Sequence, residues 1–167
     1  MTFDLEESED KSKLALAKHV IASYLASRNA LKEMGILRSE RQLQGDYSEW
    51  IVASFLNLKL CESAVEKGID AIDEKTGETY QVKSRIIKRG NTDLRSTSFD
   101  IKNINDHFDY LVGVFLEAET FEVIGLVKIP YEVVKANGNQ TSSTFRYRWN
   151  DAARADDKVE RLFWREL

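Results

Sequence analysis

The chain has 167 residues, 43% of them hydrophobic and 31% charged, with a net charge of −4 at pH 7. That length and mixture fit one globular domain with a sizeable core and point neither to a disordered chain nor to a membrane protein, since no run approaches the ~20 apolar residues that a span requires. Cys61 is the single cysteine, which excludes an internal disulfide and a zinc site built on cysteine pairs. An acidic N-terminus (Asp4, Glu6, Glu7, Glu9, Asp10) is the reverse of a secretory signal, so a cytoplasmic protein is expected.

In chain order, residues 1–12 read as a polar tail, leaving 13–167 as a single domain. From Lys13 to Met34 the apolar residues Leu14, Ala17, Ile21, Tyr24, Leu25, Leu31 and Met34 recur at three- and four-residue steps. This spacing predicts an amphipathic helix that stops at Gly35. A second helix is expected from Glu40 or Asp46 to Leu60, buried all round near Trp50–Leu56. Val65 to Ile72 is a short apolar run broken by Gly68. Ile69–Asp73 and Glu78–Ile87 then flank Glu74-Lys-Thr-Gly77, the signature of a hairpin. Gly90–Ser98 has loop composition. Phe108–Leu116 and Phe121–Ile129 read as strands covered on both faces, and Pro130 opens a short helix to Lys135. Asn137–Gln140 reads as a loop and Phe145–Trp149 as a strand, with a terminal helix over Asp157–Leu167. The expected class is α/β or α+β, a sheet with helices against it.

The chemistry concentrates in the middle of the chain. Asp70 ends one apolar run, and on the next predicted strand Gln81 and Lys83 share a face, because residues two apart point the same way. A carboxylate, an amide oxygen and an ammonium brought together suit metal-assisted hydrolysis of a phosphodiester. The carboxylate holds a divalent cation, and the lysine steadies developing charge or positions the water. Glu49, on the second helix beside Val52, Ala53 and Leu56, adds a carboxylate next to buried surface, where it needs a cation or a hydrogen-bond partner. Each residue also has a plainer reading. Asp46-Tyr-Ser-Glu49 fits a helix capping box, Asp70 can simply start a turn, and Lys83 can guard a strand edge.

A basic stretch follows directly: Lys83, Arg85, Lys88, Arg89 and Arg95 against Asp93 alone. Such a run reads either as a solvated charge cluster or as a place to hold a phosphate backbone. Arg146, Arg148 and Trp149 offer charge and stacking, although aromatics inward and arginines outward is the preferred picture for that strand. His19 and His107 give no metal-ligand spacing. Ser96-Thr-Ser98 reads as loop, and no Gly-rich phosphate loop or serine or cysteine nucleophile motif is present.

Gly45-x-x-x-Glu49, Gly68-Ile-Asp70 and Tyr80-Gln-Val-Lys-Ser-Arg85 together resemble the PD-(D/E)XK nuclease superfamily, the restriction-endonuclease-like fold. The resemblance implies a mixed sheet of about four core strands flanked by helices, with a core over about 40–135. The N-terminal helix and a C-terminal extension lie outside it. It also implies a Mg²⁺-dependent (or Mn²⁺-dependent) endonuclease of restriction or repair type that hydrolyses DNA phosphodiester bonds. Glu49, Asp70 and Gln81 would hold the metal, and Lys83 would complete the catalytic set. Arg85, Lys88, Arg89 and Arg95 would hold the backbone, and a homodimer would cut both strands. The sequence departs from the usual pattern at Gln81, where an acidic residue is the rule; Mrr-type restriction endonucleases resemble this Gln-x-Lys variant. Two alternatives are a nucleic-acid-binding subunit with weak or lost catalysis, and a protein-interaction domain in which Glu49 and Lys83 form only an internal ion pair.

Overall fold

A computed structural model describes residues 3–5, 8–33, 41–61, 68–88 and 97–165. Helix α1 (Ser8–Glu33) buries Leu14, Ile21 and Leu25 along one stripe, as a helix lying on a sheet must. It begins earlier than Lys13, and Phe3 and Leu5 ahead of it are buried. Phe3 stacks on Phe55 at 5.6 Å between ring centroids and meets Phe163 edge-on at 5.2 Å. Phe3 and Leu5 therefore belong to the core, in contrast to the polar tail expected over 1–12. The expected stop at Met34 and Gly35 lies outside the described residues.

Helix α2 (Arg41–Leu56) stops short of Leu60. Asn57 turns to a left-handed φ of 54°, and the Leu58 N–H donates to the Ala53 carbonyl at 2.8 Å, closing the helix C-terminus. Lys59–Leu60 becomes strand β1, followed by β2 (Ala71–Ile72) and β3 (Thr79–Ile87). The expected β2–β3 hairpin is present: β2 pairs antiparallel with Thr79 and Tyr80. Asp73 makes the turn, accepting from Lys75 N–H at 2.8 Å, while Gly77 supplies φ 78°. After β4 (Thr97–Ile101) come β5 (Tyr110–Glu117) and β6 (Val123–Pro130). Helix α3 (Tyr131–Asn137) follows, with Pro130 just before its first turn rather than inside it. The chain continues through β7 (Asn139–Gln140), β8 (Phe145–Trp149), α4 (Asp151–Ala155) and β9 (Glu160–Trp164).

The fold is α+β. A mixed sheet runs in the order β1-β2-β3-β5-β6-β9, with β3 and β5 parallel and every other pair antiparallel. It has six strands where about four were expected. A second, antiparallel sheet runs β4-β8-β7. Strand β5 divides two cores by simple alternation. Val112, Val114 and Leu116 face the helices, whereas Leu111 and Phe115 face the second sheet. Burial on both faces explains why β5 and β6 read as continuous apolar runs. Gly113, in register with Lys83, lies on the second-sheet side, where a Cβ would stand 2.5 Å from the Phe99 ring. The near contact of Phe99 with bare backbone is what lets the second sheet sit down on the first.

Three expectations fail in the later chain. Thr97 and Ser98 belong to strand β4 rather than a loop, and Asn139 and Gln140 pair with β8. The expected terminal helix is strand β9, paired antiparallel with β6. Phe163 packs with the helix-side core, while Trp164 meets Phe115 at 5.4 Å on the other side. Two covered faces in succession require a strand, because a helix would send adjacent residues about 100° apart on one surface. The six-stranded sheet therefore draws on the C-terminal segment as well as on residues 40–135.

Candidate active site

The site forms where β2 leaves β3. Strand β2 pairs for two residues, and the last backbone bond of that edge runs from the Asp70 N–H to the Tyr80 carbonyl at 2.8 Å. Beyond it, no strand among the described residues pairs with β3 at Val82 on that side. The Asp70 side chain takes the place of the missing strand: its Oδ2 accepts the Val82 N–H at 2.6 Å. Asp70 is thus no turn former, a role that belongs to Asp73.

Asp70, Glu49 and Gln81 line one cleft of about 540 Å³, together with Asp46, Cys61, Gly68, Ile69, Lys102, Asn103 and Asp106. Gly68 is required there twice over. Its φ is +81°, and a Cβ would come within 3.1 Å of Asp106 Cβ. The wall carrying Lys102, Asn103 and Asp106 is fixed from below by Asp109, whose Oδ2 accepts both the Thr79 N–H (2.7 Å) and hydroxyl (2.9 Å). Those bonds hold the Asp109 carboxyl below the ordinary aspartate range, with the Thr79 N–H contributing most. Helix α2 is fixed on the other side by a bond from Gln44 Nε2 to Ser84 Oγ (2.9 Å) and by buried Ile51 and Val52.

Glu49 comes from the interior of α2, with Asp46 one turn before it on the same face. The helix starts at Arg41, so Asp46 does not cap it and the capping-box reading of Glu49 is wrong. Burial pushes the Glu49 carboxyl up to about 6, the neighbouring Asp70 and Asp46 charges add to this, and Lys83 opposes it. Burial also raises Asp70, against the Val82 N–H and Lys83. Lys83 is half-buried and does not line the cleft, yet its charge acts on both carboxylates. Among the described residues Lys83 and Glu49 form no salt bridge, and the effect of Lys83 on that carboxyl is electrostatic.

Gln81 is 5% exposed, and its Oε1 has no hydrogen-bond partner among the described residues. A buried amide oxygen left unpaired costs roughly 1–3 kcal/mol, so this atom invites a ligand. Among the described residues no three His, Cys, Asp or Glu side chains converge as a metal site. The candidate set is therefore two carboxylates and this amide oxygen, all hard oxygen donors of the kind that suit Mg²⁺ or Mn²⁺.

A carboxyl raised above its ordinary 4.5 destabilises the fold when ionised. The penalty is absent below about pH 4.5 and complete above about pH 6. Glu49→Gln is accordingly expected to raise the metal-free melting temperature by ~2–4 °C at about pH 8, for about 1 kcal/mol after allowing for solvent screening of a half-exposed group. At about pH 4.5 it should change little. Thermal melts in chelator check this; equal melting temperatures at the higher pH would mean that burial places no penalty on the Glu49 charge.

The basic stretch divides. Arg85 pairs with Asp100 on β4 at 3.5 Å and lies over the Phe99 ring, while Lys88 is exposed just after β3. Arg89 and Arg95 lie outside the described residues. Arg146 and Arg148 project outward from β8, with Phe145, Tyr147 and Trp149 buried beneath, as the alternation predicts. His107 pairs with Asp109 at 3.4 Å and leans on Tyr131, apart from the cleft lining. The residues that sequence reasoning missed are Asp46, Cys61, Ile69, Lys102, Asn103 and Asp106. Only the polar composition of Lys102–Asp106, set between Ile101 and Phe108, hinted at an exposed wall.

No family model matches the chain, and no curated protein shows significant similarity to it. Among the described residues no helix is long and apolar enough to cross a membrane.

Proposed function

We propose that this protein is a Mg²⁺- or Mn²⁺-dependent endonuclease of the restriction-endonuclease-like fold, working in the cytoplasm and hydrolysing DNA phosphodiester bonds in restriction or repair. The observation that carries the reading is the orphaned, buried Oε1 of Gln81 in one cleft with two carboxylates raised by burial. Without a cation the arrangement is costly on all three counts. A divalent ion would offset each cost together, which a purely structural cluster would have no reason to require.

Glu49, Asp70 and Gln81 would hold the metal, which supplies charge neutralisation at the scissile phosphate and a water of lowered pKa. Asp70 stays oriented by the Val82 N–H, leaving Oδ1 for the cleft. Lys83 stabilises the charge that develops as a water oxygen bonds to phosphorus and the bond to the leaving sugar oxygen breaks. The neutral Gln81 lowers the charge of the ligand set, so weak metal affinity is expected. Duplex cleavage calls for two such sites, which a homodimer would provide.

The test is incubation of supercoiled plasmid, branched DNA and single-stranded DNA with the wild-type protein in Mg²⁺, Mn²⁺ or chelator. Cleavage in metal alone is the expected result. No cleavage of any substrate, with DNA binding intact, would replace the enzyme by a binding subunit of the same fold, the outcome that Gln81 favours. Loss of binding as well would leave the interaction domain.

A further inference from the structure

The outward face of the second sheet is basic on a chain that is acidic overall. Strand β4 ends at Ile101 and is followed directly by Lys102, which lines the cleft, so the ribbon made by β4 and β8 leads away from the candidate site. Register places Asp100 opposite Arg146 and Ser98 opposite Arg148. By alternation these four point to solvent, because Phe99, Ile101, Tyr147 and Trp149 are almost wholly buried on the other face.

Asp100 organises this face rather than neutralising it. Its Oδ1 accepts Arg146 Nε at 2.7 Å, and its Oδ2 lies 3.5 Å from Arg85. This carboxylate fixes the Arg146 side chain. Arg148 and Lys102 are exposed and make no salt bridge among the described residues. From Lys102 to the Ser98–Arg148 row is four residues of strand, about 14 Å. The three outward cations along that length, Lys102, Arg146 and Arg148, can each meet a phosphate of one backbone. A lipid surface would ask for apolar side chains beside the charge, and the outward residues of β4 and β8 are all polar.

We propose that this ribbon, through Lys102, Arg146 and Arg148, is the track that holds the nucleic-acid backbone leading into the cleft. The inference rests on the nucleic-acid reading of that cleft and adds the surface that would position the substrate. The contacts are electrostatic and carry no sequence information.

The test measures binding of a short labelled duplex in chelator across a range of salt, so that it does not depend on catalysis. The wild type should show a log–log salt slope of about −3 to −4. Lys102→Gln and Arg148→Gln should each flatten the slope by about 1, and the double variant by about 2. Lys75→Gln, in the remote β2–β3 turn, should leave it unchanged. An unaltered slope in the double variant would overturn the track. So would preferential binding of anionic vesicles, or a wild type with no salt-dependent binding. Metal-dependent cleavage of the same duplex by the wild type, measured separately, decides whether the nuclease reading survives such a result.

Discussion

Asp70→Asn is expected to reduce metal-dependent cleavage by on the order of 10³-fold or more while leaving the fold in place. The two consequences separate because the Asp70 side chain has two duties. Oδ2 accepts the Val82 N–H at the open edge of β3, and an asparagine oxygen can accept the same bond. What asparagine cannot supply is the negative charge that would hold the cation beside Gln81. Burial raises the Asp70 carboxyl, so removing its charge should hold or slightly raise metal-free stability. Lys83→Ala should give a comparable loss of cleavage with Mn²⁺ binding retained, since in the proposed mechanism the ammonium would act on the reacting phosphate rather than on the ion. Plasmid cleavage, Mn²⁺ titration and thermal melts on the same preparations check all of this. Normal cleavage by Asp70→Asn would remove Asp70 from the chemistry; an unfolded variant would instead show that the Val82 bond depends on a charged acceptor.

The second large effect concerns packing. Gly113→Ala should destabilise the protein by about 3 kcal/mol, lowering the melting temperature by roughly 6–12 °C. The new Cβ would sit 2.5 and 2.8 Å from two atoms of the Phe99 ring and 2.9 Å from Val127 Cγ2. None of these neighbours can withdraw cheaply. Phe99 is fully buried and lies against Phe115 at 5.6 Å, and Val127 belongs to the paired interior of β6. Relief requires β4 to lift from the main sheet, and β4 carries Lys102 to the cleft. Denaturant unfolding of the variant measures the cost. A change below about 1 kcal/mol would show that the two sheets slide on each other more freely than close packing allows.

How far the sequence could be read depended on whether neighbours along the chain were also neighbours in space. The hairpin around Lys75 was legible because turn residues and alternation sit together, and the candidate triad emerged because Asp70, Gln81 and Lys83 lie across that single hairpin. Tyr80 and Val82 face the helices as alternation requires. Glu49 was legible on a helix, and a start near Glu40 agrees with the helix found, whereas the capping box offered by Asp46 fails because the helix already includes Arg41. Strand β9 was misread because its charged residues, Glu160 and Arg161, belong to an exposed strand edge, where charge discourages further pairing. Its cover on both faces comes from Phe3, Phe115 and Trp149, all distant in sequence. The far wall of the cleft was illegible for the same reason: Asp106 meets Gly68 only once β3 and β5 have paired.

The bond between Asp70 and the Val82 N–H has an evolutionary corollary. On the nuclease reading, a descendant that gave up catalysis would leave the Lys83 ammonium only its offset of the Glu49 and Asp70 charges. Position 70 would still carry aspartate or asparagine, since losing both strips the acceptor from the Val82 N–H. Retention of an acceptor oxygen there is therefore a record of construction. On that reading, the charge at position 70 and the lysine two strand positions beyond Gln81 are the better witnesses to whether a descendant cuts.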